Sequence, residues 1–158
     1  MRRAAVLTVS DGVHAGTRED VSGPSVAKLL TRAGFQIVHR VVPDERDEIE
    51  RALVELGGEV SLVVTTGGTG FAPRDVTPEA TRAVIDREAP GLAEAMRAAG
   101  RATTPNADLS RGIAGTIGEA VVVNLPGSPA GATESLEAIL AILPHAIDHL
   151  AGDTEHHA

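Results

Sequence analysis

The chain has 158 residues, a formal net charge of −8 and no cysteine. Disulfides and thiolate chemistry are therefore excluded, and general affinity for nucleic acid is disfavoured, because a phosphate backbone calls for a basic face. Lys28 is the only lysine, and Trp and Tyr are absent, which removes base stacking on indole or phenol rings.

The length predicts one domain over 1–158, large enough to bury roughly two-thirds of its unfolded surface. No apolar run approaches the ~20 residues of a membrane span. Arg2-Arg3 precede only a short apolar segment that Ser10-Asp11-Gly12 ends, too short for a signal-peptide core. The expectation is a soluble, cytoplasmic protein that binds neither membrane nor nucleic acid.

Ala4 to Val9 reads as a first strand, and the polar stretch Val13 to Val21 as a loop. Ser22-Gly23-Pro24 opens a helix with Ser22 as its cap. Val26, Leu29, Leu30 and Ala33 give that helix one apolar face, and Gly34 stops it. Phe35 to Val42 is a second strand, after which Asp44 is placed to cap a helix carrying Ile49, Ala52, Leu53 and Leu56 in phase. Val60 to Thr66 is a third strand. Pro78 to Glu88 reads as helix, Pro90 breaks it, and Gly91 to Ala99 forms another.

Thr103-Thr104-Pro105 caps a short turn. Ile113 to Ile117 and Ala120 to Asn124 form a hairpin around Gly118-Glu119, and a closing helix restarts at Pro144. The tail from about Gly152 to Ala158 is expected to fray. Strands alternating with helices imply an α/β fold of three layers, a central, mostly parallel, mixed sheet flanked by helices.

Ligands in such folds gather beyond the carboxyl ends of the strands. Those ends here are Ser10-Asp11-Gly12, Pro43-Asp44, Thr65 to Gly70 and Asn124 to Ser128, all polar or glycine-rich. The third carries most information: TTGGTGFAPRDVTPEA packs three glycines into four positions between a strand and a helix start. Backbone N–H groups at such a junction, with the Thr65, Thr66 and Thr69 hydroxyls beside them, suit phosphate or carboxylate oxygens. It is neither a Walker loop nor the dinucleotide fingerprint.

A tight turn is the plain alternative. Asp75 caps the next helix or sits beside bound phosphates with Mg²⁺, and Asp44 has the same two readings. Arg74 clamps a phosphate, pairs with Asp75 or is solvated. His145 and His149 share a helix face as metal ligands sometimes do, but no third ligand is evident. There is no Gly-x-Ser-x-Gly elbow, so a covalent hydrolase is unsupported.

Thr65 to Thr81, with LTVSD (Leu7 to Asp11), VPDE (Val42 to Glu45), REAPG (Arg87 to Gly91), LSR (Leu109 to Arg111) and NLPGSP (Asn124 to Pro129), resembles the Mog/MoaB family. That family includes bacterial molybdopterin adenylyltransferases and the equivalent domains of gephyrin and plant Cnx-type proteins. The resemblance runs from about Ala4 to Leu150. It implies the molybdopterin-binding fold, a homotrimer, and MgATP-dependent adenylylation of molybdopterin with release of pyrophosphate. The product would pass to a molybdenum insertase.

The resemblance puts catalytic, metal-holding acids on Asp44 and Asp75. It puts substrate and nucleotide binding on Ser10, Asp11, Asp20, Thr66, Gly67, Gly68, Thr69, Gly70, Arg74, Ser110, Asn124, Pro126, Gly127 and Ser128. The alternative is a non-catalytic pterin-binding or trimeric scaffold protein of the MoaB type.

Overall fold

The computed structural model describes residues 2–152. Most of the expected frayed tail, with His156 and His157, lies outside the described residues. Six strands form one mixed sheet in the order β2-β1-β3-β6-β5-β4. β1 (Arg3–Val9), β2 (Gln36–Val42), β3 (Leu62–Thr66) and β6 (Ala120–Leu125) run parallel. β5 (Ala114–Ile117) returns antiparallel to β6, and the two-residue β4 (Arg87–Glu88) pairs antiparallel with β5.

The central parallel strands β1, β3 and β6 are buried on both faces, as strands covered on two sides must be, whereas β2 at the edge carries Gln36, His39 and Arg40. Period two sorts their residues. Ala4, Val6, Leu62, Val64, Val121 and Val123 join one core, with side chains from α2 (Ser22–Arg32), α5 (Pro90–Arg101), α6 (Pro129–Leu140) and α7 (Leu143–Leu150). Ala5, Leu7, Val63 and Val122 join the other, against α3 (Arg46–Gly57) and α4 (Thr77–Val84). The mixed, mostly parallel three-layer sheet is the architecture expected from the sequence.

Four local expectations change. Asp11–His14 forms a short helix, α1, where a loop was expected, because the Ser10 hydroxyl accepts from the Val13 N–H. Ser22 is not the cap of α2. Asp20 Oδ1 takes the Gly23 N–H, and the Ser22 hydroxyl donates to the Gly127 carbonyl. Asp44 does not cap α3; Glu45 stands at that position without a side-chain cap bond. The helix after Pro78 stops at Val84. Beyond it Asp86 N and Ala89 N donate to Thr116 O and Ala114 O, so 87–88 becomes sheet edge.

Candidate functional site at the carboxyl ends of the parallel strands

Sheet order decides which strand ends meet. β1 lies between β2 and β3, and β3 between β1 and β6, so the loops after these strands stand side by side. The chain leaves β3 towards the α3/α4 face, whereas it leaves β1 and β6 towards the α2/α6 face. Neighbouring loops that part to opposite faces open a crevice between them.

The glycine loop sits at this parting. Gly67 (φ +93°) and Gly68 (φ +70°) occupy the left-handed region. A Cβ on Gly67 would lie 2.4 Å from Val9 O, and one on Gly68 would lie 2.2 Å from Thr77 Oγ1. Both positions exclude any side chain. Thr77 fixes the start of α4 to the loop by donating from Oγ1 to Gly67 O, at 3.0 Å, while its N–H donates to Gly68 O. On the other side Gly67 N donates to Leu125 O, the last residue of β6.

Two carboxylates face this loop. Asp44 Oδ1 lies 3.3 Å from the place a Gly68 Cβ would occupy, and Asp75 Oδ2 lies 2.9 Å from that of Gly70. Asp75 Oδ2 also accepts the Ala72 N–H at 3.0 Å, which closes the turn around Ala72-Pro73-Arg74. Asp44 exchanges bonds with Asp11. Asp11 N donates to Asp44 Oδ2 at 2.8 Å, and Asp44 N donates to Asp11 Oδ1 at 2.9 Å.

Burial pushes the Asp44 carboxyl above its ordinary value. The Asp11 N–H opposes this, and the nearby Asp11 and Asp75 charges add to it. Asp11 shifts the other way, because Arg74 donates to both its oxygens, at 2.9 and 3.0 Å. Arg74 reaches Glu45 as well, at 3.0 Å. Of the readings open for Arg74, the structure shows ion pairing, with Asp11 and Glu45 rather than Asp75.

A cleft of about 500 Å³ continues from the loop between α5, α6 and the 3-10 turn Pro105–Leu109. Thr104 caps that turn, as expected, by accepting from the Asn106 N–H. Of the sequence-derived positions, Gly68, Thr69, Gly70, Asp75, Ser110, Asn124, Pro126, Gly127 and Ser128 line the cleft. Asp11, Asp44 and Arg74 gather on the other flank of the glycine loop. Ser10 caps α1, and Thr66 is buried at the end of β3.

Asp20 lies apart from the cleft lining. Its carboxylate receives Thr8 Oγ1 at 2.7 Å and the Gly23 N–H at 2.9 Å, and His39 Nε2 lies 3.3 Å from it. It builds the entry to α2, and through Ser22 and Gly127 it steadies the rim. Asn124 reaches the cleft wall, yet its carboxamide is committed inside. Oδ1 accepts the Ile113 N–H at 3.1 Å, and Nδ2 donates to Thr65 Oγ1 and Thr81 Oγ1 at 3.1 and 3.0 Å. The backbone donor fixes which end of the amide is oxygen.

Arg111 is the residue the sequence reading missed. In the sequence Ser110-Arg111 is a weak signal by itself, and Arg111 otherwise stands only within LSR. Its backbone N donates to Thr69 O, Nε to Gly70 O at 2.8 Å, Nη2 to Asp75 O at 2.9 Å, and Nη1 to Glu79 Oε2 at 2.6 Å. One guanidinium thus collects the carbonyls of the glycine loop, and one sequence cannot reveal such a role for a loop arginine.

The Asp44 and Asp75 carboxylates, flanking a loop whose N–H groups and hydroxyls suit phosphate oxygens, form an oxygen donor set that fits Mg²⁺. This ion commonly takes one or two carboxylates and completes its shell with phosphate oxygens and water. Among the described residues there is no group of three or more His, Cys, Asp or Glu able to hold a metal. The His145 and His149 rings meet at a tilt of 44°, with centroids 4.4 Å apart. No described helix is long and apolar enough to cross a membrane.

The family described as "Probable molybdopterin binding domain" matches residues 5–145. The chain is 43% identical over 152 residues to the molybdenum cofactor synthesis protein cinnamon of Drosophila melanogaster, covering 94% of this chain but only 25% of that protein. It is 40% identical over 153 residues to the molybdopterin adenylyltransferase of Helicobacter pylori strain J99, covering 94% of this chain and 87% of that one. A crystal structure of MoaB from Thermus thermophilus, a molybdopterin biosynthesis enzyme, superposes with a TM-score of 0.90 at 48% identity, covering 96% and 98% of the two chains. With its glycine loop, flanking acids and cleft so placed, the chain belongs to the molybdopterin-binding domain family.

Proposed function

We propose that this chain is a molybdopterin adenylyltransferase of molybdenum cofactor biosynthesis. A terminal phosphate oxygen of molybdopterin attacks the α-phosphorus of ATP, the bond from that phosphorus to the β-bridging oxygen breaks, and pyrophosphate leaves. The product is adenylyl-molybdopterin. The attacking phosphate is already anionic, so no general base is required. Catalysis then rests on positioning and charge neutralisation. The observation that carries the reading is the glycine loop held between Asp44 on one flank and the cleft with Asp75 on the other.

In this reading the N–H groups of Gly68 to Gly70 and the Thr69 and Ser128 hydroxyls hold phosphate oxygens, and Ser110 closes the wall. Asp44 and Asp75 would hold Mg²⁺, which neutralises charge on the phosphates when bound. Arg74, paired to Asp11 and Glu45, orients the acids rather than clamping a phosphate. We place the protein in the cytoplasm as a homotrimer of single domains, with a molybdenum insertase consuming the product.

Pyrophosphate release from ATP and molybdopterin with Mg²⁺ is the direct test. Release dependent on all three supports the reading. Tight pterin binding without release would make the protein a scaffold of the MoaB type. Sedimentation of the full chain checks the trimer.

A further inference from the structure

The α6 wall of the cleft holds a half-buried acid with no ion-pair partner among the described residues. Glu134 lies on α6, and its Oε2 accepts the Thr103 hydroxyl at 2.8 Å. Oε1 stands 3.9 Å from where a Gly100 Cβ would be, and among the described residues no hydrogen bond reaches it. The nearby cation does not pair with it. Arg97 Nη1 is spent on the Ser110 and Gly112 carbonyls, at 3.1 and 2.8 Å. The same cleft is lined by the apolar Ala93, Met96, Ala107 and Ala130. A carboxylate is acceptor-only, so the free Oε1 meets a ligand in the cleft through the ligand's donors.

Its position relative to the glycine loop gives the ligand's shape. Ser128, Gly131 and Glu134 recur every three residues on α6, so they line one face of the helix. From the Ser128 cap, beside the glycine loop, to Glu134 is six residues, or about 9 Å along the axis. Resting on the reading above, a substrate anchored by its phosphate at the loop extends a fused ring along this face. The ring's far edge, the 2-amino-pyrimidinone of a pterin, presents two adjacent N–H donors.

We infer that Glu134 reads the aminopyrimidinone edge of the pterin, with Oε1 as principal acceptor, and so sets specificity for 2-amino-4-oxo pterins. The Thr103 hydroxyl fixes the carboxylate's rotation, and the bare Gly100 lets Ala107 pack close, 2.6 Å from where a Cβ would stand. Glu134 takes no part in the phosphoryl step.

Glu134→Gln is the discriminating variant. It keeps the volume and an oxygen able to accept from Thr103, but it turns one acceptor towards the ligand into a donor. The KM for molybdopterin should rise by about tenfold or more, with kcat and the KM for ATP nearly unchanged. A second readout needs no turnover. By quenching of pterin fluorescence, the wild-type chain should hold pterin-6-carboxylate more tightly than the 2-oxo analogue lumazine-6-carboxylate, and Glu134→Gln should lose that preference. A wild-type KM in Glu134→Gln, with no preference for the 2-amino ring, would overturn the inference and leave Glu134 a strap between α6 and Thr103. Absence of wild-type pyrophosphate release would instead strike the proposed function.

Discussion

Asp11 and Asp44 exchange hydrogen bonds, each backbone N–H donating to the other's carboxylate at 2.8 and 2.9 Å. The pairing follows from Val9 standing opposite Val42 at the ends of adjacent parallel strands. Each acid stands two residues past its strand, in matching loops. The exchange fixes Asp44 against the glycine loop at the cost of keeping two negative charges together.

Asp44→Asn preserves an oxygen for the Asp11 N–H while removing the charge. Pyrophosphate release should fall by at least about a hundredfold, a loss typical of a phosphate-site metal ligand. Folding favours the protonated form of Asp44, because its proton affinity is raised in the native chain. The neutral variant should therefore melt no lower than wild type at pH 7. A drop of several degrees in Tm would refute the assignment. Asp75→Asn should likewise lose turnover yet keep pterin binding; lost binding with normal metal dependence would sink its role.

Arg111→Lys retains the charge facing Glu79 but cannot reach Gly70 O, Asp75 O and Glu79 together, since only a guanidinium carries that fork. Turnover should drop by more than tenfold. Hydrogen exchange at 68–75 should quicken while the central strands stay protected, and added guanidinium should restore part of the activity of Arg111→Gly. Unchanged exchange in the loop would show that the carbonyls hold themselves.

Asn124→Ala strands the buried Ile113 N–H and removes the donor to Thr65 Oγ1, while Thr81 Oγ1 keeps its bond to Thr77 O. The expected cost is about 2–3 kcal/mol, read from urea unfolding. A variant of wild-type stability with weaker pterin binding would return Asn124 to the ligand.

The Arg111 guanidinium holds the Glu79 carboxyl below the ordinary carboxylate range. With the folded value depressed, the pair's contribution is present above the unfolded value of about 4.3. It is lost as pH falls through the lower folded value. Glu79→Gln should flatten the acid side of the Tm–pH curve slightly, because the pair is half exposed. An acid side as steep as wild type would contradict this.

Local pattern was enough to read the alternating strands and helices, the mixed sheet and the glycine loop. Buried strands read as Val-rich runs, and left-handed turns demand glycine, so both are written in neighbouring residues. Asp44 and Asp75 were legible as ambiguous acids beside that loop, and resemblance made them partners. Tertiary structure alone decided where the other side chains spend their hydrogen bonds. Asn124 was expected to face the ligand and is consumed by Ile113, Thr65 and Thr81. Asp20 was expected at the site, and its carboxylate secures Thr8 and Gly23. Arg111 gave only a weak signal and Glu134 none, because their partners are 32 to 42 and 31 residues away in the chain. Sheet order and the parting of loops to opposite faces bring those groups together, and a local sequence pattern does not encode which distant donor meets which acceptor.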